Sequence, residues 1–449
     1  MKKKIISLLL IVLTLGLLPK SVLAIEVTDE HSLKEAIANG KKDITLVNDI
    51  ILITDEQTHT TRKVGLDVRG EGNITINGNG HKLSTLMNVA IELRAQSGKT
   101  LTVQFNDITI EAKDRAIDTR SSGINLELNR VNLSVVGSGN VQGLTIGGNA
   151  ERIGIMINNS NINAGNNGYG IITFNPVNMT ITNSKIIGYS ALYMKPADSS
   201  VGSNGSVVSI NNSNLVGNNA QSGDYNNFGT IVLADKNIKI DVVDTTIIAN
   251  NTLGTSIQTP ILQSSEIAQS VNANNTVTIA GTSELLVNTQ NDYQSIAVND
   301  NGLTLTVSSG VKSNIMIDEK YVEVGAVVVQ DINGNNVVVL KRNIMIVPDE
   351  HGVVTTDKNE AVAGDEVTIS ATPKTGYEVK NIKVIDENDN EISVLNNKFI
   401  MPNQIVRVIT TFELNNPNTS DISIGALSTV FLISIVSIGF FFKQIFKMD

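Results

Sequence analysis

The chain has 449 residues, no cysteine, no tryptophan and a formal net charge of −10 at pH 7. Without cysteine there are no disulfides, so any exported fold must be held by burial and hydrogen bonding alone. The acidic balance excludes a nucleic-acid reading, because phosphate binding needs a basic stripe, and an aromatic content of 4% argues against an aromatic-lined sugar cleft.

The first element is apolar. Lys2, Lys3 and Lys4 precede an apolar stretch from Ile5 to Leu18, and the segment closes on Val22-Leu23-Ala24. This is the order of a secretory signal, with cleavage between Ala24 and Ile25; its core is too short to span a bilayer. Residues 1–24 are therefore read as a signal peptide, and the body, 25–414, is long enough for two domains. In "TDEHSLKEAIANGKKDITLVNDI", Ser32 and Glu35 read as a capping box, Leu33, Ala36 and Ile37 as an apolar face, and Gly40 as the stop of a short helix. A strand, Ile44 to Val47, follows, and "ITINGNGHKLS" (Ile74 to Ser84) reads as the first full coil of a repeat.

The repeat itself is visible in "LTVQFNDITIEA", "IGIMINNSNINAG", "VNMTITNSKIIGYSAL" and "VVSINNSNLVGNN". Each is an alternating apolar strand, a polar kink and a second short strand. The kink asparagines, Asn106, Asn129, Asn159, Asn183 and Asn212, lie 23, 30, 24 and 29 residues apart by subtraction. Repetition on that scale predicts a stacked solenoid. Its drifting period fits a right-handed parallel β-helix, whose corners absorb insertions, and asparagine suits a corner because it tolerates left-handed backbone. Roughly 270 residues at roughly 27 per coil predict about ten coils and a rod about 45–50 Å long. An array of β-sandwiches is the rival fold. The fold class is thus all-β: a solenoid with an N-terminal helical cap, then a small mostly-β domain and one C-terminal transmembrane helix.

The order "SLKEAIANGKKDITLVNDI" then "ITINGNGHKL" resembles the start of pectate-lyase-like adhesive domains of Gram-positive surface proteins. The resemblance spans 25–342, later only as a general strand pattern, and implies an adhesin-like extracellular module. Likeness of fold does not carry lyase chemistry.

From residue 343 to 414 the kinks disappear and charge rises. Gly364-Asp365-Glu366-Val367, Ala371-Thr372-Pro373, Gly376-Tyr377 and Phe399-Ile400-Met401-Pro402 resemble the divergent internalin B-type repeat. That resemblance implies a small β domain acting as stalk or interaction module. Its segment Asp386 to Glu391, "DENDNE", has the look of a calcium loop but lacks the central glycine, and reads as a solvated hairpin turn.

Residues 415–421 read as a linker bearing Asn416-Pro417-Asn418-Thr419-Ser420, and Ile422 to Phe442 carry no charge. At 1.5 Å per helical residue that run covers about 31 Å, enough for a bilayer core. Lys443 and Lys447 place the tail, 443–449, in the cytoplasm. The three-part order resembles a cell-wall sorting signal, with Ser420 in place of the usual glycine. It implies a sortase transpeptidase and peptidoglycan as partners and cleavage between Thr419 and Ser420. The chain is then extracellular and wall-anchored, or a single-pass membrane protein if it is not sorted.

Chemistry is sparse. Asp107, Asp114, Arg115, Asp118 and Arg120 crowd together in sequence, as a catalytic or calcium patch would. Acids do not recur at the kinks of the next coils, so the cluster reads as a corner loop with ordinary charges. His31, His59, His81 and His351 show no metal-ligand spacing. Tyr189, Tyr193 and Tyr225 would make a sugar-stacking surface if stacking aligned them, although strand-face tyrosines more often pack. No catalytic residue, metal ligand or cofactor is assigned.

The expectation is a non-enzymatic surface protein that presents its β-helix to a host, matrix or glycan ligand. The alternatives are a tethered polysaccharide lyase or glycoside hydrolase, and a plain stalk. An Asp/Arg/Lys cluster on one sheet face would favour the enzyme; a flat Asn, Thr and Ser face would favour binding.

Overall fold

The computed structural model describes residues 24–56, 62–147, 152–195, 205–219, 229–251, 259–264, 273–289 and 295–415. The segment read as a signal peptide, as far as Leu23, the segment read as a sorting signal, the apolar C-terminal run, His59 and Tyr225 lie outside the described residues. Among the described residues the chain is mostly strand, with one short α-helix, and no helix is long and apolar enough to cross a membrane. It divides into two compact units between Leu340 and Lys341.

The first unit is a coil of three parallel sheets. Alternation sets each strand: Leu101, Val103 and Phe105 are buried while Thr102, Gln104 and Asn106 face out. Ile124, Leu126 and Leu128 stack on them in register, so the inner column stays apolar from coil to coil. One coil contributes one strand to each sheet, as in Leu101–Asn106, Thr109–Ala112 and Arg115–Thr119. The third strand of every coil was not separated in the sequence reading. Nine complete coils follow one another from Asp43, and a tenth keeps strands in two sheets. At ~4.8 Å per coil they make a stack of about 45 Å. Parallel pairing from coil to coil excludes the sandwich array, whose sheets are antiparallel.

The first coil is earlier than expected. Ile44 pairs with Ile76 and Ile50 with Leu83, so Asp43–Gly70 is already a complete turn beneath the stretch from Ile74 to Ser84. The helix, Glu30–Ala38, lies at this end and buries Leu33 and Ala36 in the same core. Its capping box is also three residues earlier than read. Asp29, not Ser32, is the N-cap: its Oδ1 accepts the Ser32 N–H at 2.8 Å, and Ser32 Oγ accepts the Asp29 N–H at 3.2 Å. At the other end, an antiparallel hairpin (Ala326–Gln330 with Asn336–Leu340) covers the last edge of the second sheet.

The corner between the first and second sheets repeats a single residue in left-handed conformation. Asp107, Arg130, Asn159, Asn183, Asn212 and Asp244 have φ of 49°, 55°, 51°, 49°, 45° and 50°. The kinks read at Asn106 and Asn129 are therefore one residue early, whereas those at Asn159, Asn183 and Asn212 stand. Asn106 and Asn129 end their strands instead and form a separate ladder. Asn106, Asn129 and Asn158 each donate from Nδ2 to the Oδ1 of Asn77, Asn106 and Asn129 one coil earlier, at 2.8, 3.0 and 3.0 Å.

The second unit has a five-stranded mixed sheet and a three-stranded antiparallel one. Val367, Ile369, Val384, Phe399, Met401 and Val408 form its own core.

Candidate functional site

The third sheet, unseen in the sequence, carries the charge. Its strands align Asp67, Glu92, Asp118, Thr145, Ile172 and Tyr193 in one column on the face away from the core, while Leu66, Ile91 and Ile117 point inward beside them. Three carboxylates thus occupy matching places in three successive coils, spaced about 4.8 Å along the stack. Two residues on, Arg69 and Arg94 form a second column, and Arg120 follows Thr119 in the next coil.

Glu92 and Asp118 are fully buried, and a buried charge persists only when paired. Asp118 Oδ2 lies 2.9 Å from Arg115 Nη1, 2.9 Å from Arg120 Nη2 and 3.7 Å from Arg62 Nη1. Glu92 takes Arg94 Nε at 2.7 Å and Arg120 Nε at 3.3 Å, so Arg120 bridges two coils. Asp67 pairs with Arg69. Burial pushes the Asp118 carboxyl above its ordinary value, with Arg115 and Arg120 pulling it back. Burial likewise raises Asp67 against the pull of Arg69. Arg62 is lowered, first by burial and then by repulsion from Arg115 and Arg120. Every carboxylate of the column is therefore met by at least one guanidinium.

This corrects the reading that acids do not recur between coils. They recur on the third strand, not at the kink, and the signal was present as Asp67-x-Arg69, Glu92-x-Arg94 and Asp118-x-Arg120. Of the five residues singled out, the structure brings Arg115, Asp118 and Arg120 together. Asp107 stands apart at the first corner, where it pairs with Arg130 at the exposed surface. Asp114 accepts from Asn88 Nδ2 at 2.5 Å. No group of three His, Cys, Asp or Glu among the described residues is placed to hold a metal ion.

Further along the same face, the column turns aromatic. Tyr169 meets Tyr189 and Tyr193 edge-on, with ring centroids 6.0 and 5.1 Å away. Coil stacking does not align Tyr189 and Tyr193, which belong to one coil, where Tyr193 registers with Ile172 and Ser190 with Tyr169. All three rings are buried with Ile172, Val232 and Leu262, so they pack and offer no open platform. Tyr169 was missed because it opens a third-sheet strand.

The remaining candidates are scattered. His31 is exposed near Glu35, and His81 Nδ1 is 3.3 Å from Asp49 Oδ1 at a turn. His351 lies against Tyr377 and 3.1 Å from Asp349. Asp386 spends its carboxylate inside its own turn, accepting from the N–H groups of Asn388 and Asn390 at 2.8 and 2.9 Å.

The corner beside the left-handed column presents a different surface. Asn159, Asn183 and Asn212 stand beside Asn161 and Asn214 along a shallow trough of about 460 Å³. Asn183 and Asn212 donate to the residue one coil earlier at 3.2 and 2.7 Å. It is a flat, amide-rich rank, neutral except at Lys185 and Asp244. Both discriminating features, the Asp/Arg face and the Asn/Ser/Thr face, are thus present on one solenoid.

A family model described as a pectate lyase-like adhesive domain matches residues 24–135, the coils that hold the carboxylate column. A second, described as the divergent InlB B-repeat domain, matches residues 342–416. No curated protein and no solved structure matches the chain.

Proposed function

We propose that the chain is an exported, wall-anchored surface protein of a Gram-positive bacterium whose solenoid binds a host, matrix or glycan ligand. One observation carries the choice of binding over turnover. The carboxylates that coil stacking gathers at Asp67, Glu92 and Asp118 are answered by arginines and two are fully buried, whereas the open corner is a rank of amides and hydroxyls. The adhesive description of the family matched over those same coils supports this reading. The coil is taken as right-handed, the hand that parallel crossovers favour. The InlB-like unit serves as stalk or interaction module between the rod and the anchor. The sequence at 1–24 and 416–442 supplies export and sorting. An array of matrix proteins and glycans probed with the purified protein tests the reading: selective retention on one ligand class supports it, and uniform background contradicts it.

A second reading has a specific observation behind it. Carboxylates and arginines interleaved on one sheet face are also what a polysaccharide lyase requires, so the chain is assayed with polygalacturonate and calcium for unsaturated product. The binding reading predicts no turnover. Steady turnover abolished by Arg115→Ala would replace it with the enzyme.

A further inference from the structure

The first sheet holds a groove that neither the charged face nor the corner uses. Its outward column reads Thr102, Asn125, Gly154, Asn178 and Val207 in register over five successive coils. A groove of about 370 Å³ runs along it. Gly154 makes the groove: a Cβ there would lie 2.5 Å from Asn125 Oδ1, so any side chain would fill the notch between the flanking amides. The parallel column supplies Met156, 43% exposed, beside Thr180, and Val207 at the end of the first column is 42% exposed. Arg152 Nη1 donates to Asn178 Oδ1 at 3.1 Å, which leaves the amide nitrogen of Asn178 as its donor. Glu127 is the one charged residue in the lining.

We infer that this groove binds a neutral, extended β-1,4-linked hexopyranose chain lying along the solenoid axis. The inference deepens the binding reading and rests on it. Three features point to that ligand. Amides or hydroxyls stand in four of the five coils, as Thr102, Asn125, Asn178 with Thr180, and Ser209. Their ~4.8 Å coil spacing is close to the advance per ring of such a chain, so one ring can lie over each coil. Met156 and Val207 offer apolar surface to the C–H face of a pyranose ring, in a protein whose aromatics are few. The lining itself carries no cation and one carboxylate, Glu127, with Arg152 held at the rim by Asn178 and the Gly205 carbonyl, which suits a neutral glycan better than an acidic one. The site spans about five coils and therefore about five rings.

The test is calorimetric titration of the full-length protein in detergent with cello- and chito-oligosaccharides of increasing length. Malto-oligosaccharides and polygalacturonate serve as the coiled and acidic controls. Affinity should rise with length and level off near about five rings. Gly154→Val, which fills the notch and can be accommodated by the end of the Asn125 side chain, should weaken binding by about tenfold or more. Met156→Glu, at an exposed position where the fold is not at stake, should do the same; melting curves of both variants are recorded alongside. The cello and chito arms separate the two sources of a β-1,4 chain. Absence of binding in both arms overturns the inference, as does binding that both variants leave unchanged, or equal binding of polygalacturonate. Adhesion of cells displaying the protein is measured separately. Oligosaccharide binding without adhesion refutes the adhesin reading alone, and adhesion to matrix without oligosaccharide binding refutes the groove alone.

Discussion

Ser184 Oγ accepts the backbone N–H of Ser160, one coil earlier, at 3.0 Å and donates to the carbonyl of Thr182 in its own coil at 2.7 Å. The same exchange recurs along the corner. Val131, Ser184, Ser213 and Thr245 donate their N–H to the hydroxyls of Ser160, Ser213, Thr245 and Ser283 at 3.0, 3.1, 3.2 and 3.1 Å. Each left-handed corner would otherwise bury a backbone donor with nothing to receive it. Ser184→Ala should therefore cost about 1–3 kcal/mol, and Ser184→Thr much less, since Thr245 already serves in that column. Urea midpoints measure both; an alanine variant as stable as its parent would show that the ladder adds nothing.

Charge on the third sheet should behave unlike charge at the corner. Asp118→Ala removes a fully buried carboxylate from Arg115, from Arg62 and from Arg120, which keeps only Glu92, and should cost about 3–5 kcal/mol. Asp107→Asn removes an exposed pair and should cost no more than about 1 kcal/mol. Equal losses in denaturation would contradict the partition of these two neighbours in sequence into different environments.

How far the sequence reveals this depends on which strand is read. The first two strands of each coil alternate cleanly and meet at an Asn-Ser kink, so both were legible from "INNSN" and "TNSKI". The third strand is buried on both faces, as in Ser190–Met194 and Gly229–Leu233, and gives no alternation to read. With it went the Asp67-x-Arg69, Glu92-x-Arg94, Asp118-x-Arg120 series, whose spacing makes sense only once coils are in register. The kinks at Asn106 and Asn129 were misplaced by one residue because Asp107 and Arg130 take the left-handed position in those two coils. Asparagine marks that corner often but not always.

The turn at Asp386 should be indifferent to calcium. Besides the two backbone donors, it accepts Asn390 Nδ2 at 3.0 Å, and these bonds hold its carboxyl below the ordinary range, that of Asn390 foremost. Asp331 is built alike, accepting Asn333 N–H, Asn335 N–H and Asn335 Nδ2 at 2.9, 2.9 and 3.1 Å. Asp386→Ala should lower the melting temperature through the lost turn bonds, while added calcium leaves that of the parent unchanged. A calcium-dependent rise that the alanine variant abolishes would reverse the assignment.

Near the end of the solenoid, stability should fall at alkaline pH through one phenol. Tyr321 Oη donates to Asp300 Oδ2 at 2.7 Å, and Lys320 Nζ reaches the same oxygen at 2.6 Å. Burial, then the bond to Asp300, pushes Tyr321 up to about 12 from 10.0. The fold favours the neutral phenol, so its contribution is complete below the unfolded value near 10 and is lost as pH rises toward about 12. Asp300, lowered by Lys320 and then Tyr321, works the other way. Its contribution holds above the ordinary carboxylate value and is lost as pH falls through the depressed one. Tyr321→Phe should cost about 1–2 kcal/mol at neutral pH and flatten the alkaline limb of melting temperature against pH. An unchanged limb would remove Tyr321 from the account.

Outward display is the claim on which binding by either face depends, and the proposed sorting at Asn416 to Ser420 makes it testable at one bond. Under the proposed sorting, a transpeptidase cysteine would attack the Thr419 carbonyl, release the chain from Ser420 onward and pass the new C-terminus to a wall amine. Mass spectrometry of protein released from the wall of the native host should find a terminal peptide ending at Thr419 with a wall fragment attached. Recovery only in the membrane fraction, with Lys447 still present, would contradict it.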